Sequence, residues 1–143
     1  MSFPVTDDPG SVPELSRHAL ILVVERNPAV QRLERFFLEQ AGYTVEFTSD
    51  GEAALARARK LKPKILVSEI LVPKLDGLQL CRTLKSDSTT EHIIVIIFSH
   101  LQAEDRALEA GADAFLSKPL DEELLIDTLE RLLTLRHSAG DNL

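Results

Sequence analysis

Short apolar runs alternate five times with longer stretches of helical periodicity. The runs are Ala19–Val24, Tyr43–Phe47, Ile65–Val67, Ile93–Phe98 and Ala112–Leu116. Strands that alternate with helical stretches imply a parallel sheet covered on both faces. The first and fourth runs are apolar throughout, as strands buried on both sides must be. The second alternates, with Val45 and Phe47 set against Thr44 and Glu46, which marks a sheet edge with one wet face. The fifth is short and suits the other edge. The pattern therefore predicts an α/β fold of the flavodoxin-like (βα)5 kind, a doubly wound sheet in the order 2-1-3-4-5.

Helix boundaries are written in the same stretches. Asn27-Pro28 supplies an N-cap and a first-turn proline, and Gly42 closes that helix after Ala41. Ser49 with Glu52 reads as a capping box for the second helix. Asp76 caps the third and Gly111 ends the fourth. Asp121, Glu122 and Glu123 complement the dipole at the start of the last helix, with Arg131, Arg136 and His137 toward its end. Residues 1–18 hold three of the seven prolines plus Asp7, Asp8 and Glu14, a composition that buries too little surface to offset its ordering entropy. The expected organisation is a mobile arm over 1–18, one domain over 19–136 and a frayed tail over 137–143.

Bulk properties narrow the class. A chain of 143 residues holds one domain with a real core, and a net charge of -7 disfavours nucleic acid and anionic membrane. There is no apolar run of the roughly 18–20 residues that span a bilayer, and no basic-then-apolar leader, so the reading is cytoplasmic. Cys81 is the only cysteine, and its place beside Leu80 and Leu84 makes it core. No histidine has a ligand-like neighbour in the sequence, which leaves zinc unsupported.

Ligands of open parallel sheets sit beyond the carboxyl ends of the strands, where strand order reverses. Strand 1 ends in Glu25-Arg26, strand 3 in Glu69, strand 4 in Ser99-His100, and strand 5 leads into Lys118-Pro119. Two carboxylates, a guanidinium, a hydroxyl and an ammonium thus meet on one rim. A flavodoxin-like nucleotide binder is the competing reading on this fold, but ERNPAVQ after strand 1 offers no glycine-rich phosphate loop.

The blocks ILVVERNP, ILVSEILVPKLDG, IIVIIFSH and GADAFLSKPLD resemble, in order and spacing, the four motif blocks of response-regulator receiver domains, over about His18 to Arg136. The resemblance implies a signalling domain that takes a phosphoryl group from a histidine kinase on an Asp after strand 3, with Mg2+ held by an acidic pair after strand 1. On that pattern Ser99 and Lys118 match, and Glu25 keeps the charge of the first acid. Arg26 stands where the second acid belongs, and Glu69 where the phosphoacceptor Asp belongs. Phe115 takes the aromatic switch position without a hydroxyl. His100 replaces a small residue that admits the donor, although by itself it reads as a loop residue rather than a catalytic base.

Charge counting links these departures. If Arg26 and Lys118 both face Glu25 and Glu69, the pocket nets zero without a metal. Mg2+ about 5 Å from Arg26 would meet a gross repulsion of roughly 7 kcal/mol at an effective dielectric of 20, and would lose an oxygen ligand. The extra methylene of Glu69 displaces its carboxylate by roughly 1.5 Å, enough to cost on the order of a hundredfold in rate. The expectation is therefore an atypical receiver that is not an enzyme, holds no tight Mg2+, is not phosphorylated and acts through contacts with signalling proteins. The alternative keeps phosphorylation on an unusual carboxylate with Mg2+. The leucine-rich last helix (Leu124, Leu125, Leu129, Leu132, Leu133, Leu135) exceeds one buried face, so a homodimer through helix 4, strand 5 and helix 5 is a further expectation.

Overall fold

A computed structural model of the chain describes residues 18–141, with side chains described over 18–137. Of the arm expected over residues 1–18, residues 1–17 lie outside the described residues. Ten elements follow one another: β1 Leu20–Val24, α1 Pro28–Gln40, β2 Thr44–Thr48, α2 Gly51–Leu61, β3 Ile65–Ser68, α3 Gly77–Lys85, β4 Ile94–Ser99, α4 Glu104–Glu109, β5 Ala114–Ser117 and α5 Glu122–Asp141. The five strands form one parallel sheet in the order β2-β1-β3-β4-β5, as the periodicity predicts.

Strand alternation divides the core in two. Ile21, Val23, Ile65, Val67, Ile94 and Ile96 join Leu38 of α1 and Leu125, Leu129 and Leu133 of α5 on one face. Leu22, Val24, Leu66, Val95 and Ile97 join side chains of α2, α3 and α4 on the other. Each fully buried aliphatic side chain is worth roughly 1.5–3 kcal/mol of transfer free energy, so β1, β3 and β4 are pinned from both sides. Lys85 of α3 ties this sheet together at its lower edge. Its ammonium donates to the Ile93 carbonyl at 2.7 Å and to Asp113 at 2.9 Å, while Asp113 also accepts from the Val95 amide at 2.8 Å.

The caps explain where the chain turns toward the site. Asn27 accepts from the amides of Ala29 and Val30, with Pro28 in the first turn of α1, and Asp76 accepts from Gln79 N. At α2 the cap is Asp50, which accepts from Ala53 N at 2.7 Å, and not Ser49 as the capping-box pattern suggested. Asp50, in extended conformation directly before the first helical residue, places its carboxylate within reach of that free amide. α5 continues to Asp141, past the boundary at 136 expected from composition.

Candidate functional site

The carboxyl ends of β1, β3, β4 and β5 bring Glu25, Glu69, Ser99 and Lys118 together, as the topology requires. Glu25 is the residue after β1 and Glu69 the residue after β3; the two strands are direct neighbours, so their terminal carboxylates lie side by side. Lys118 follows β5, two strands away, and its long stem reaches back over the Phe98 ring at 5.5 Å to lie between the acids. Its ammonium is 2.8 Å from Oε1 of Glu25 and 3.0 Å from Oε1 of Glu69. This bridge is nearly dry, since the Lys118 side chain is 14% exposed and those of the two acids less than 5%.

The remaining carboxylate oxygens are also taken. Oε2 of Glu25 accepts from the Asn27 amide at 3.1 Å. Oε2 of Glu69 accepts from the amides of Ile70 and Leu71, at 2.5 and 3.2 Å, and from the Ser99 hydroxyl. Burial by itself would raise the Glu69 carboxyl, but hydrogen bonds from Ser99, Lys118 and the Leu71 amide outweigh it and hold the group below the usual carboxylate value. Burial likewise works to lower the Lys118 ammonium, and the two carboxylates more than reverse it.

Local backbone packing fixes Glu69. The first turn of α3 rests on the peptide after β3, with Gly77 N donating to Ile70 O at 2.9 Å. A Cβ at Gly77 would drive into the Glu69 carbonyl oxygen and lie 3.0 Å from Cα of Ile70, so glycine is required by close approach. Phe115 of β5 is half-buried and packs against the core on the α2–α4 face, so its ring turns inward.

Arg26 does not join this cluster. Its side chain is exposed and forms no ion pair with Glu25, Glu69 or any other described carboxylate. The expectation that it neutralises the pocket is therefore corrected: the neutralising cation is Lys118, from the other end of the sheet. Both residues lie past the end of β1: the Glu25 carboxylate is held there by Lys118 and the Asn27 amide, while Arg26 stays in solvent. His100, read from sequence as a loop residue, stands at the mouth with Nδ1 3.4 Å from Oε1 of Glu69, and its side chain is 62% exposed.

One buried acid was not legible as a site residue. Glu34 of α1 is 1% exposed, and its Oε1 has no hydrogen-bond partner. Burial, then repulsion from Glu25, raises its carboxyl to about 8, against the opposing pull of Lys118. At neutral pH it is a neutral acid behind the pocket. The sequence signal was present: Glu34 falls between Val30 and Leu38 on the four-residue stripe of α1 that faces the sheet.

The donor set does not fit Mg2+ as it stands. The position of the second acid holds an exposed arginine, which leaves a hard cation one oxygen ligand short and sets a positive charge beside it. Among the described residues there is no cluster of His, Cys, Asp and Glu able to hold a metal, and no helix long and apolar enough to cross a membrane.

The family model described as the response regulator receiver domain matches residues 21–130. The DNA-binding dual master transcriptional regulator RpaA of Synechocystis is 34% identical over 116 residues, covering 79% of this chain and 48% of that protein. The response regulator PleD of Caulobacter vibrioides is 39% identical over 117 residues, covering 80% of this chain and 26% of PleD. The chain thus spans half or less of the length of these relatives. Among solved structures, a putative response regulator from Chloroflexus aurantiacus superposes with a TM-score of 0.79 at 26% identity, covering 82% of this chain and 99% of that one. The receiver domain of a sensor histidine kinase from Pseudomonas aeruginosa, with magnesium coordinated in its active site cleft, gives 0.74 at 28% identity, covering 79% and 95%.

Proposed function

Because the chain belongs to the response-regulator receiver family, a family of two-component signalling modules rather than enzymes, we propose that it is an atypical receiver that carries no acyl phosphate at its acceptor position and signals through protein contacts. The observation that supports this most directly is Glu69 at the acceptor position: its Oε2 is engaged by the amides of Ile70 and Leu71 and by the Ser99 hydroxyl, while the position of the second acid holds an exposed arginine. Glu69 then acts as a fixed anion. It draws the Ser99 hydroxyl and Lys118 toward itself, as an acyl phosphate would, though with less charge. The inward packing of Phe115 at the aromatic switch position is consistent with a pocket held in one state. Tight Mg2+ binding is not expected, since one oxygen ligand is missing and the others are engaged.

The test is to incubate the chain with acetyl phosphate and Mg2+, follow intact mass, and challenge the product with hydroxylamine, which cleaves acyl phosphates. The expected result is no hydroxylamine-labile phosphate, with no strong Mg2+ binding by calorimetry. A labile phosphate mapped to Glu69 would reinstate the alternative, a receiver phosphorylated on an unusual carboxylate.

The partners are signalling proteins. Leu108 of α4 and Leu124 of α5 are 47% and 49% exposed, and this face is the surface proposed for self-association. Sedimentation of the chain at high concentration tests it, and a monomer there would exclude the homodimer.

A further inference from the structure

The cations of this acidic chain are gathered on one side. From Ala53 to Ser68 there is no acid, yet Arg57, Arg59, Lys60, Lys62 and Lys64 follow one another along α2 and the turn after it. All of them are exposed. Arg57 pairs with Glu46, and Arg59 stands 4.0 Å from Asp87. Among the described residues Lys60, Lys62 and Lys64 have no carboxylate partner. Across the cleft between α2 and α3, the exposed Arg82 donates to Gln79 Oε1 at 3.3 Å and has no carboxylate partner among the described residues either. Arg59, Arg82, Thr83, Ser86 and Asp87 line this cleft. The dipole of α2 favours cations in its last turn, but it does not account for Lys64 beyond the helix or for Arg82 on α3.

An occupant of matching charge lies on the same chain. Residues 1–17 carry Asp7, Asp8 and Glu14 against a single cation, Arg17. They join the domain at His18, two residues before Leu20, whose carbonyl accepts from Lys64 N at 3.0 Å. The junction therefore lies beside the carboxyl end of α2. Helices that link parallel strands run back to the edge where the strands begin, so the cleft opens toward that same edge. Extended chain carries Glu14 up to roughly 13 Å from His18, and Asp8 up to roughly 35 Å. Tether length alone does not choose a face, because β1 lies between β2 and β3 with helices on both sides. Charge does: the groove between α1 and α5 is rimmed by Glu122, Glu123 and Asp127, which repel an acidic segment.

We propose that the segment Asp7–Glu14 docks in the α2–α3 cleft of its own chain, its carboxylates against Arg59, Lys62 and Arg82. The tether supplies an effective concentration on the order of millimolar, so the contact persists on dilution. Its ion pairs are exposed, so salt weakens it.

The test places a nitroxide on Ser11→Cys in the whole chain and reads the broadening of amide signals. The buried Cys81 thiol, pushed up to about 11 by burial, stays unlabelled at neutral pH. At low salt Arg82, Thr83 and Ser86 should be broadened roughly twofold or more beyond Ile126 and Asp127 on the other face. About 0.5 M sodium chloride should erase this contrast by shortening the screening length below the roughly 8 Å of physiological salt. Arg59→Gln with Arg82→Gln should erase it too, with the fold intact by circular dichroism, and so should Asp7→Asn, Asp8→Asn and Glu14→Gln together. A nitroxide-bearing chain mixed with an isotope-enriched chain free of the label should leave the enriched signals sharp. Equal broadening on the two faces overturns the proposal, as does a contrast that survives salt or either set of substitutions. Broadening of the same strength in the mixed sample also overturns it, because the segment would then be reaching a second copy.

Discussion

The carboxylate of Glu25 and the ammonium of Lys118 meet at 2.8 Å although 93 residues separate them in the chain. Both are nearly dry, so neither can be removed without leaving its partner as a buried charge. Lys118→Met should cost roughly 3 kcal/mol of unfolding free energy, and more than an exposed ion pair would, because two acids lose their cation at once. Adding Glu25→Gln to Lys118→Met should recover part of that loss. Urea denaturation of the two single variants and the double variant gives the coupling directly; simple additivity would mean the bridge is not formed in solution.

Glu34 shapes the stability profile between pH 4.5 and 8. Its carboxyl is raised from 4.5 to about 8 on folding, so the folded chain keeps a proton that the unfolded chain releases. That contribution is fully present below the unfolded value and is lost as pH rises through the folded one, a change on the order of 5 kcal/mol between pH 4.5 and 8. Glu34→Gln removes the titration, so the variant should gain on the parent by several kcal/mol across this window. Chemical denaturation at a series of pH values reads the difference.

Glu69 works in the opposite sense. Its carboxyl is held below the usual value, so its contribution is present above that value and lost as pH falls through the folded one. Ser99→Ala removes one of the donors responsible. The variant should lose about 1.5–3 kcal/mol at neutral pH and show less further loss in acid than the parent does.

Gly77 is a packing requirement of the site. Gly77→Ala should cost about 1–3 kcal/mol, because the added methyl pushes α3 off the Glu69–Ile70 peptide. The same shift should weaken the Ser99–Glu69 contact, visible as a change in the Ser99 amide chemical shift. Gly42→Ala, where no atom lies within 4 Å of the added carbon, isolates the cost of positive φ alone and should leave Ser99 undisturbed.

Restoring two acids of the family pattern tests the pocket chemistry from the other side. Arg26→Asp with Glu69→Asp supplies the missing oxygen ligand and withdraws the extra methylene. The double variant should bind Mg2+ on the order of ten- to a hundredfold more tightly than the parent and become labelled by acetyl phosphate in a hydroxylamine-labile form. Calorimetry and intact mass measure the two effects; a double variant as inert as the parent would place the block elsewhere in the pocket.

The strands, their order and most helix ends were legible in the chain, because hydrophobic period and cap chemistry act within a few residues. Asn27-Pro28, Gly42 and Asp76 do in the fold what their local chemistry implies. So too was the meeting of Glu25, Glu69, Ser99 and Lys118, since parallel topology carries all four strand ends to one rim. Side-chain direction at that rim was not legible. Whether Arg26 turns in or out is decided in the loop after β1, and whether Lys118 reaches both acids depends on the breadth of three strands. Glu34 and His100 acquired their character in the same way: the inward stripe of α1 buries one without a partner, and the end of β4 sets the other against Glu69. Sequence determined which groups arrive at the site; packing across the sheet decided which are paired, which are dry and which face solvent, because charge and reactivity depend on neighbours remote in the chain.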